Sequence, residues 1–451
     1  MPPLLADWRH LPTHRRVWAL ATPMMLSNLS VPLVALVDSA VAGHLPAASD
    51  LGAVAIGGTV YALPAWSLGF LRMGTTGFSA QAHGAGDGTA LRGVLVQALA
   101  LALLLGLAAW LLLAPLAPQL VALMRPSPEL AASSVEYLRW RLPGLPAALV
   151  NYALAGWFIG RHATRTTLLL VTVTNLANIA LNLWFVLGLG HGVGGIALAS
   201  ALAEWGGALL GLALAGRALA GIGGGFAWRA LGRWAQWRSL LAVNRDIFLR
   251  TLALQGVFFA VTLLGTRLGD AVVAANALLL NGLLLVAFGL DGLANAVEAL
   301  SGHAIGAGDA VGLRRALVVA SGWALLGSLG FALAFLAGGP GFIALQTDLP
   351  EVRATAARAL PWLAVLPLVT VWSYLLDGLF VGATRAREMR DTMLVSALAF
   401  LALAFALRGA GNAGLWLALL GFMAVRGASL GWAAWRIQRR HAWLVRRTPV
   451  E

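Results

Sequence analysis

Long apolar runs separated by short polar ones dominate the chain, and twelve of them reach membrane-spanning length. They fall at about 17–41, 51–74, 93–117, 131–156, 166–189, 193–216, 243–266, 271–300, 314–338, 354–382, 391–408 and 412–435. The pattern predicts an all-α integral membrane protein of twelve transmembrane helices. In the first run, Val17 to Val41, about seven turns of apolar helix carry a single ionisable group, Asp38. A carboxylate at such a place costs roughly 2.5–3.5 kcal/mol on insertion scales, so it is expected to face a protein interior or a watery cavity and to accept a proton or a cation. Pro32 removes the backbone bond to the carbonyl of Asn28, and together with Pro23 it marks this helix as a hinge.

The second half of the pattern repeats the first. Ser79-Ala-Gln-Ala-His-Gly-Ala-Gly-Asp87, continuing to Leu91-Arg92, lies over Ser301-Gly-His-Ala-Ile-Gly-Ala-Gly-Asp309, continuing to Leu313-Arg314, at an offset of 222 residues. The same offset pairs Gly43 with Gly265, Tyr152 with Tyr374, Gly156 with Gly378, Phe158 with Phe380, Gly160 with Gly382 and Arg165 with Arg387. Two tandem six-helix units follow, and because six is even both enter the membrane in the same orientation, as two bundles related by a pseudo-twofold along the membrane normal. The expected division is an N-terminal lobe over 1–220, a cytoplasmic linker over 221–242, a C-terminal lobe over 243–435 and a basic cytoplasmic tail over 436–451. The linker holds the run Gly221 to Gly225, then Trp228, Trp234 and Trp237, and reads as an amphipathic interfacial stretch. The Gly-Ala-Gly-Asp blocks lack the Gly-x-x-x-x-Gly-Lys-Ser/Thr pattern and follow no strand, so they read as tight turns and not as phosphate loops.

Polar groups inside the spans are few and ordered. Asn175, Asn178 and Asn182 line one face of the fifth, and Ser200 and Glu204 stand one turn apart on the sixth. Asp291, Asn295 and Glu298 make a stripe on the eighth, and Ser373, Tyr374 and Asp377 occupy adjoining faces of the tenth. Such stripes are expelled from lipid and must face another helix or a cavity, where they serve either an interhelical network or transport. Arg72, Arg250, Arg408 and Arg426, within or at the ends of spans, are candidate partners for the acids.

Composition supports this picture and removes alternatives. With 60% hydrophobic and 11% charged residues and a mean hydropathy of +0.82, the chain cannot be a soluble domain. The net charge of +13 is not a nucleic-acid footprint, because the arginines sit in short loops and at the chain ends. Their excess in the N-terminal arm, the even-numbered loops and the tail puts both termini in the cytoplasm. The absence of cysteine excludes disulfides, thiolate metal sites and a cysteine nucleophile. Neither a His-Glu-x-x-His zinc motif nor a Gly-x-Ser-x-Gly elbow occurs, so no metal, no cofactor and no enzyme activity is expected. The N-terminal span is too long for a cleaved signal peptide and reads as retained.

Four blocks together resemble the multidrug and toxic compound extrusion (MATE) family, and within it the DinF branch. They are Pro23-Met-Met-Leu-Ser-Asn28 with Val31 to His44, Ala80 to Gly86, Leu241 to Ile247, and Leu376-Asp-Gly-Leu-Phe-Val-Gly-Ala-Thr-Arg385. The resemblance implies a secondary antiporter of the plasma (bacterial inner) membrane. Such a protein exports organic cations or other amphipathic toxic compounds against inward proton or sodium flow, by alternating access between two lobes. Asp38 matches the family's coupling carboxylate, with Asn178, Asn182 and Ser200 gathered about it. Asn182 departs from relatives that carry Asp, and Ala260 stands where sodium-coupled relatives carry an acid. Both departures favour protons as the coupling ion. Asp377 matches a tenth-helix acid used for cation binding and, with Asp291, Glu298, Asn295, Tyr374 and Glu204, forms the second rank of candidates. Met24, Met25, Tyr61 and Trp184 are candidate contacts for flat cations. The expected partners are small amphipathic or cationic molecules and membrane lipid, with no nucleic acid, and the expected state is a monomer. Two alternatives stay open at this point: sodium coupling through acids of the C-terminal lobe, and a flippase for lipids or lipid-linked precursors.

Overall fold

Inside a bilayer the backbone has no water to bond to, so an apolar run of this length satisfies its amides by forming a helix. The computed structural model of the chain describes residues 4–45, 48–226, 228, 232 and 234–444. Among these residues twelve helical spans are long and apolar enough to cross a membrane, and there is no strand. In chain order the helices are α1 (Leu4–Trp8), α2 (Leu11–Gly43), α3 (Ala48–Ser67), α4 (Phe70–Gly84), α5 (Gly88–Leu123), α6 (Pro128–Arg141), α7 (Leu145–Gly160), α8 (Thr164–Leu183) and α9 (Val193–Ala220). They continue as α10 (Trp234–Thr266), α11 (Asp270–Ala307), α12 (Ala310–Ala344), α13 (Pro350–Gly382), α14 (Ala386–Ala406) and α15 (Gly411–Arg439). A short 3-10 turn at Leu142–Gly144 joins α6 to α7, and a wider turn over Trp184–Gly188 extends α8.

The helices form two compact units, one holding Leu26–Leu240 and the other the residues before Leu26 together with those from Leu241 onward. The expected N-terminal lobe therefore loses its first turns to the second unit. The reason is local packing. Asp7 of α1 pairs with Arg314 and, at 3.5 Å, with Arg315 at the start of α12. Trp8, His14 and Trp18 surround the ring of Trp323, and Met25 packs where Gly292 of α11 leaves room.

Within each unit the second and fourth spans meet through glycine. On α7, Gly156 and Gly160 lie so close to α4 that a Cβ would overlap the carbonyl oxygens of Arg72 and Thr76. On α13, Gly378 and Gly382 stand in the same way against the carbonyl oxygens of Ala294 and Glu298 of α11. All four contacts keep the 222-residue offset, and the small-x-x-x-small spacing is what lets backbones of apolar helices touch.

The Gly-Ala-Gly-Asp blocks are turns in both units. Gly86 and Gly308 adopt φ of 68° and 72°, which side chains disfavour, and Asp87 and Asp309 cap the next helix by accepting from Ala90 N and Gly312 N, each at 2.8 Å. The glycine run after α9 is pinned by Arg92, whose guanidinium donates to the carbonyls of Leu219 and Ile222 at 2.8 Å and of Gly223 at 2.6 Å. Arg229 and Arg233 of the expected linker, and Arg446 and Arg447 of the tail, lie outside the described residues. In the first unit an apolar core joins Val41, Val60, Tyr137, Leu138, Leu145 and Ile196 beneath the polar groups described next.

Candidate functional site

In the first unit the asparagine face of α8 lies along α2. Asn182 Nδ2 donates to Asp38 Oδ1 at 2.6 Å, and two turns earlier Asn175 Nδ2 donates to Ser30 Oγ at 2.8 Å. Matching seven- and eight-residue steps on the two helices follow from their parallel course. Asn178, the third member, turns to α9 and donates to Ser200 Oγ at 2.8 Å, which in turn donates to the carbonyl of Ile196 at 3.2 Å. Asp38 is half-buried, whereas Asn178, Asn182 and Ser200 are buried. The carbonyl oxygens of Asn178 and Asn182 are buried and accept no hydrogen bond among the described residues. The structure thus joins the four residues expected from the sequence as two pairs along α8, Asp38 with Asn182 and Ser200 with Asn178. It runs α2 as unbroken helix through Pro23 and Pro32.

A second centre in this unit joins two residues expected from the sequence, Glu204 and Tyr61, to one not singled out from the sequence, Arg141. Arg141, the last residue of α6, forms a two-pronged pair with Glu204 of α9, Nη1 to Oε2 at 2.7 Å and Nη2 to Oε1 at 2.6 Å. Its guanidinium lies 3.5 Å from the ring centre of Tyr61, whose hydroxyl is 2.9 Å from both Glu204 oxygens. Tyr137 also hydrogen-bonds Arg141, and Asp38 lies within reach of the Arg141 charge. Gly144 makes room for the pair, since a Cβ there would meet Glu204 Oε2 and Arg141 Nη1. Tyr61 is therefore not an open face for a flat cation; the protein's own cation covers it. The signal in the sequence was an arginine inside the fourth span, as costly there as the aspartate of the first. Trp184, the other aromatic candidate, stacks on Phe185.

In the second unit Asp377 sits between two arginines. Arg250 of α10 and Arg426 of α15 both donate through Nη2 to Asp377 Oδ2, and all three are buried. Asp291 of α11, half-buried, stands within electrostatic reach of Tyr374 and Arg250. Asn295 and Glu298 are buried on the same helix. A separate knot joins Asn276 of α11 with Asn412 (2.8 and 3.0 Å) and Trp416 (2.9 Å) of α15. Arg408 is not paired with an acid among the described residues; its guanidinium stacks 4.5 Å from the Phe405 ring centre.

The two units do not share their chemistry. At the 222-residue offset Asp38, Asn178, Asn182 and Ser200 become Ala260, Phe400, Ala404 and Phe422. Where Asn178 hydrogen-bonds Ser200, Phe400 and Phe422 are in edge contact with ring centres 6.4 Å apart. The carboxylate held by a neutral amide, Asp38, is thus private to the first unit, and the carboxylate held by cations, Asp377, to the second. The first arrangement leaves a carboxylate able to change protonation state; the second ties it into an ion triad.

Comparison with known proteins agrees with this architecture. The MatE family model matches twice, over residues 23–184 and 247–408. The chain is 43% identical over 427 residues to DNA damage-inducible protein F of Escherichia coli (strain K12), covering 94% of this chain and 92% of that protein. It is 30% identical over 407 residues to the multidrug resistance protein PmpM of Pseudomonas aeruginosa, covering 86% and 81%. Among solved structures it superposes on one described as MATE in the bent conformation with a TM-score of 0.87, 21% identity, and coverage of 95% and 97%. A second, an outward-facing multidrug resistance MATE family transporter, gives 0.86 at 21% identity, with coverage of 95% and 96%. From the doubled family match and the likeness over nearly its whole length, the chain belongs to the MATE family of multidrug efflux transporters, in its DinF branch.

Proposed function

We propose that this transporter exports organic cations or other amphipathic toxic compounds in exchange for protons, with Asp38 as the coupling carboxylate. The observation that carries the reading is the 2.6 Å bond from Asn182 to Asp38, while Arg141, the arginine within electrostatic reach of Asp38, is already taken by Glu204. A carboxylate paired with a neutral amide can take up a proton without stranding a buried cation. Asn182 suits both states, because its Nδ2 donates to the carboxylate and its Oδ1 accepts from the carboxylic acid after an amide turn. An ionised aspartate at that position offers only acceptors. Uptake of a proton would weaken the tie between α2 and α8, and bending at Pro32 or Pro23 would then let the site exchange between the two sides of the membrane. Each charge moved draws about 2.3 kcal/mol per 100 mV of membrane potential.

The same reading has a monomer in the plasma membrane, and the arginine excess in the N-terminal arm, the even-numbered loops and the tail supports both termini being cytoplasmic. Sodium coupling through the second unit has less support, because Asp377 already has two guanidinium partners. A flippase for lipids or lipid-linked precursors calls for cationic groups free to meet a headgroup phosphate, and it has less support because the buried arginines Arg250 and Arg426, like Arg141, are paired with carboxylates.

The test is lumenal pH in energised inverted vesicles on addition of a fluorescent organic cation, with and without sodium, for wild type and Asp38→Asn. Substrate-dependent proton efflux that needs Asp38 and not sodium is expected. Full-rate exchange by Asp38→Asn protein that inserts normally would overturn the assignment.

A further inference from the structure

A cavity of about 790 Å³ opens between the first turns of α14 and the last four turns of α15, lined by none of the groups assigned to transport above. One wall follows a single face of α15, Val425, Ala428, Trp432, Arg436 and Arg440, and Val395 of α14 lines the opposite side. The lining is ordered along its length. Its inner end is apolar, Trp432 stands in the middle, exposed, and the outer end is arginine. From Val425 to Arg440 the groove spans about 22 Å at 1.5 Å per residue. One leaflet offers about 15 Å of hydrocarbon and a further 5–7 Å of headgroup region, with tryptophan favoured at the boundary between them.

The charges select the ligand's sign. The acids in the lining are already neutralised: Glu388 pairs with Arg385 at 2.9 Å, and Asp391 with Arg390 at 2.6 Å. Arg436 stacks 4.6 Å from the ring centre of Trp432, which leaves its N–H edge available, and neither it nor Arg440 has a carboxylate partner among the described residues. Arg385 also donates to the carbonyl of Ala442 at 2.6 Å, which fixes the turn that closes the outer end.

We infer that this groove is a binding site for an anionic membrane phospholipid, its phosphate held by Arg436 and Arg440, its glycerol region beside Trp432 and an acyl chain along Val395, Val425 and Ala428. Phosphate prefers the planar, multiply donating guanidinium, and a chain of methylenes fills the apolar end that a free phosphate leaves empty. The site is separate from the transport chemistry, so Asp38→Asn protein should bind the lipid as wild type does.

The experiment is native mass spectrometry of the full-length protein titrated with phosphatidylglycerol, with phosphatidylcholine, inorganic phosphate and tetraphenylphosphonium as further probes. Each arginine near a membrane surface is worth about a fivefold change in affinity, so Arg436→Ala/Arg440→Ala should weaken phosphatidylglycerol about 30-fold. Ala428→Trp, which fills the apolar end and keeps both arginines, should also lose it. Phosphatidylcholine should bind wild type no better than phosphatidylglycerol binds the double variant, and inorganic phosphate should not displace the lipid. Equal retention by wild type and double variant, or displacement by inorganic phosphate, would overturn the site. So would tighter binding of tetraphenylphosphonium than of phosphatidylglycerol, which would make the groove a cation site.

Discussion

Replacing Asp377 with asparagine separates the two readings of the second unit. Asp377 accepts from both Arg250 and Arg426 while all three are buried, so the change leaves two guanidinium groups without the carboxylate they share, with Asp291 as the remaining acid in electrostatic reach of Arg250. Breaking a buried ion pair by removing one partner costs about 3–5 kcal/mol. At roughly 2.1 cal/mol/K per residue, unfolding of the 451-residue chain as one transition carries about 0.95 kcal/mol/K, so Tm should fall by about 3–5 °C. If the second unit melts separately, the fall is about twice that. The assay is intrinsic-fluorescence melting of purified protein in detergent, run beside proton exchange in proteoliposomes. Asp38→Asn keeps a hydrogen bond to Asn182 and should melt within about 1 °C of wild type while losing exchange. The variant Arg250→Met/Asp377→Leu/Arg426→Met should recover most of the Tm, since an apolar set of similar volume replaces the triad. An Asp377→Asn protein that melts as wild type does and has lost ion-coupled transport would refute the triad and return Asp377 to the coupling machinery.

Three further outcomes are expected. Glu204→Gln leaves Arg141 without its carboxylate and should lower stability by about 2–4 kcal/mol, less than a fully buried pair because both side chains keep 12–17% exposure, and Arg141→Met/Glu204→Gln should regain part of it in the same melt. Asn182→Asp puts two carboxylates at hydrogen-bonding distance, which they hold only by sharing a proton or a metal cation, so sodium should begin to stimulate transport in the vesicle assay. Gly160→Leu and Gly382→Leu should each abolish the monodisperse peak in size-exclusion chromatography, whereas Gly93→Ala, with nothing within 4 Å of the added carbon, should not.

The helices, the doubling and the capped turns were legible because each is written in local sequence: run length, a fixed offset, and a Gly-Asp pair at a helix start. The site around Asp38 was legible in part for the same reason, since three asparagines at spacings of three and four must share a face. Which face meets which helix is set by packing, and no local pattern carries it. Arg141 and Glu204 are 63 residues apart, one inside the fourth span and the other a turn from Ser200 on the sixth, and no local pattern joins them. Arg250 and Arg426 were recognised as candidate partners for acids, but their convergence on one oxygen of Asp377 depends on three helices at once. The division of the first span between units likewise follows from Asp7 and Trp323, which lie far from each other in sequence.

The glycine seams carry a record of descent. Gly156, Gly160, Gly378 and Gly382 touch the same backbone atoms in each copy, whereas Asp38 and Asp377 have alanine at the corresponding places, Ala260 and Ala155. An ionisable position can differ between the two copies without disturbing the packing of either, but neither copy can relax a helix contact that has no space for a methyl group. What the halves of this sequence share is therefore fasteners and turns, Gly156 and Gly160 with Gly378 and Gly382 beside the Gly-Ala-Gly-Asp blocks, and not the acids. A search for ancestral half-length relatives would do better to follow the Gly-x-x-x-Gly seams than the acids.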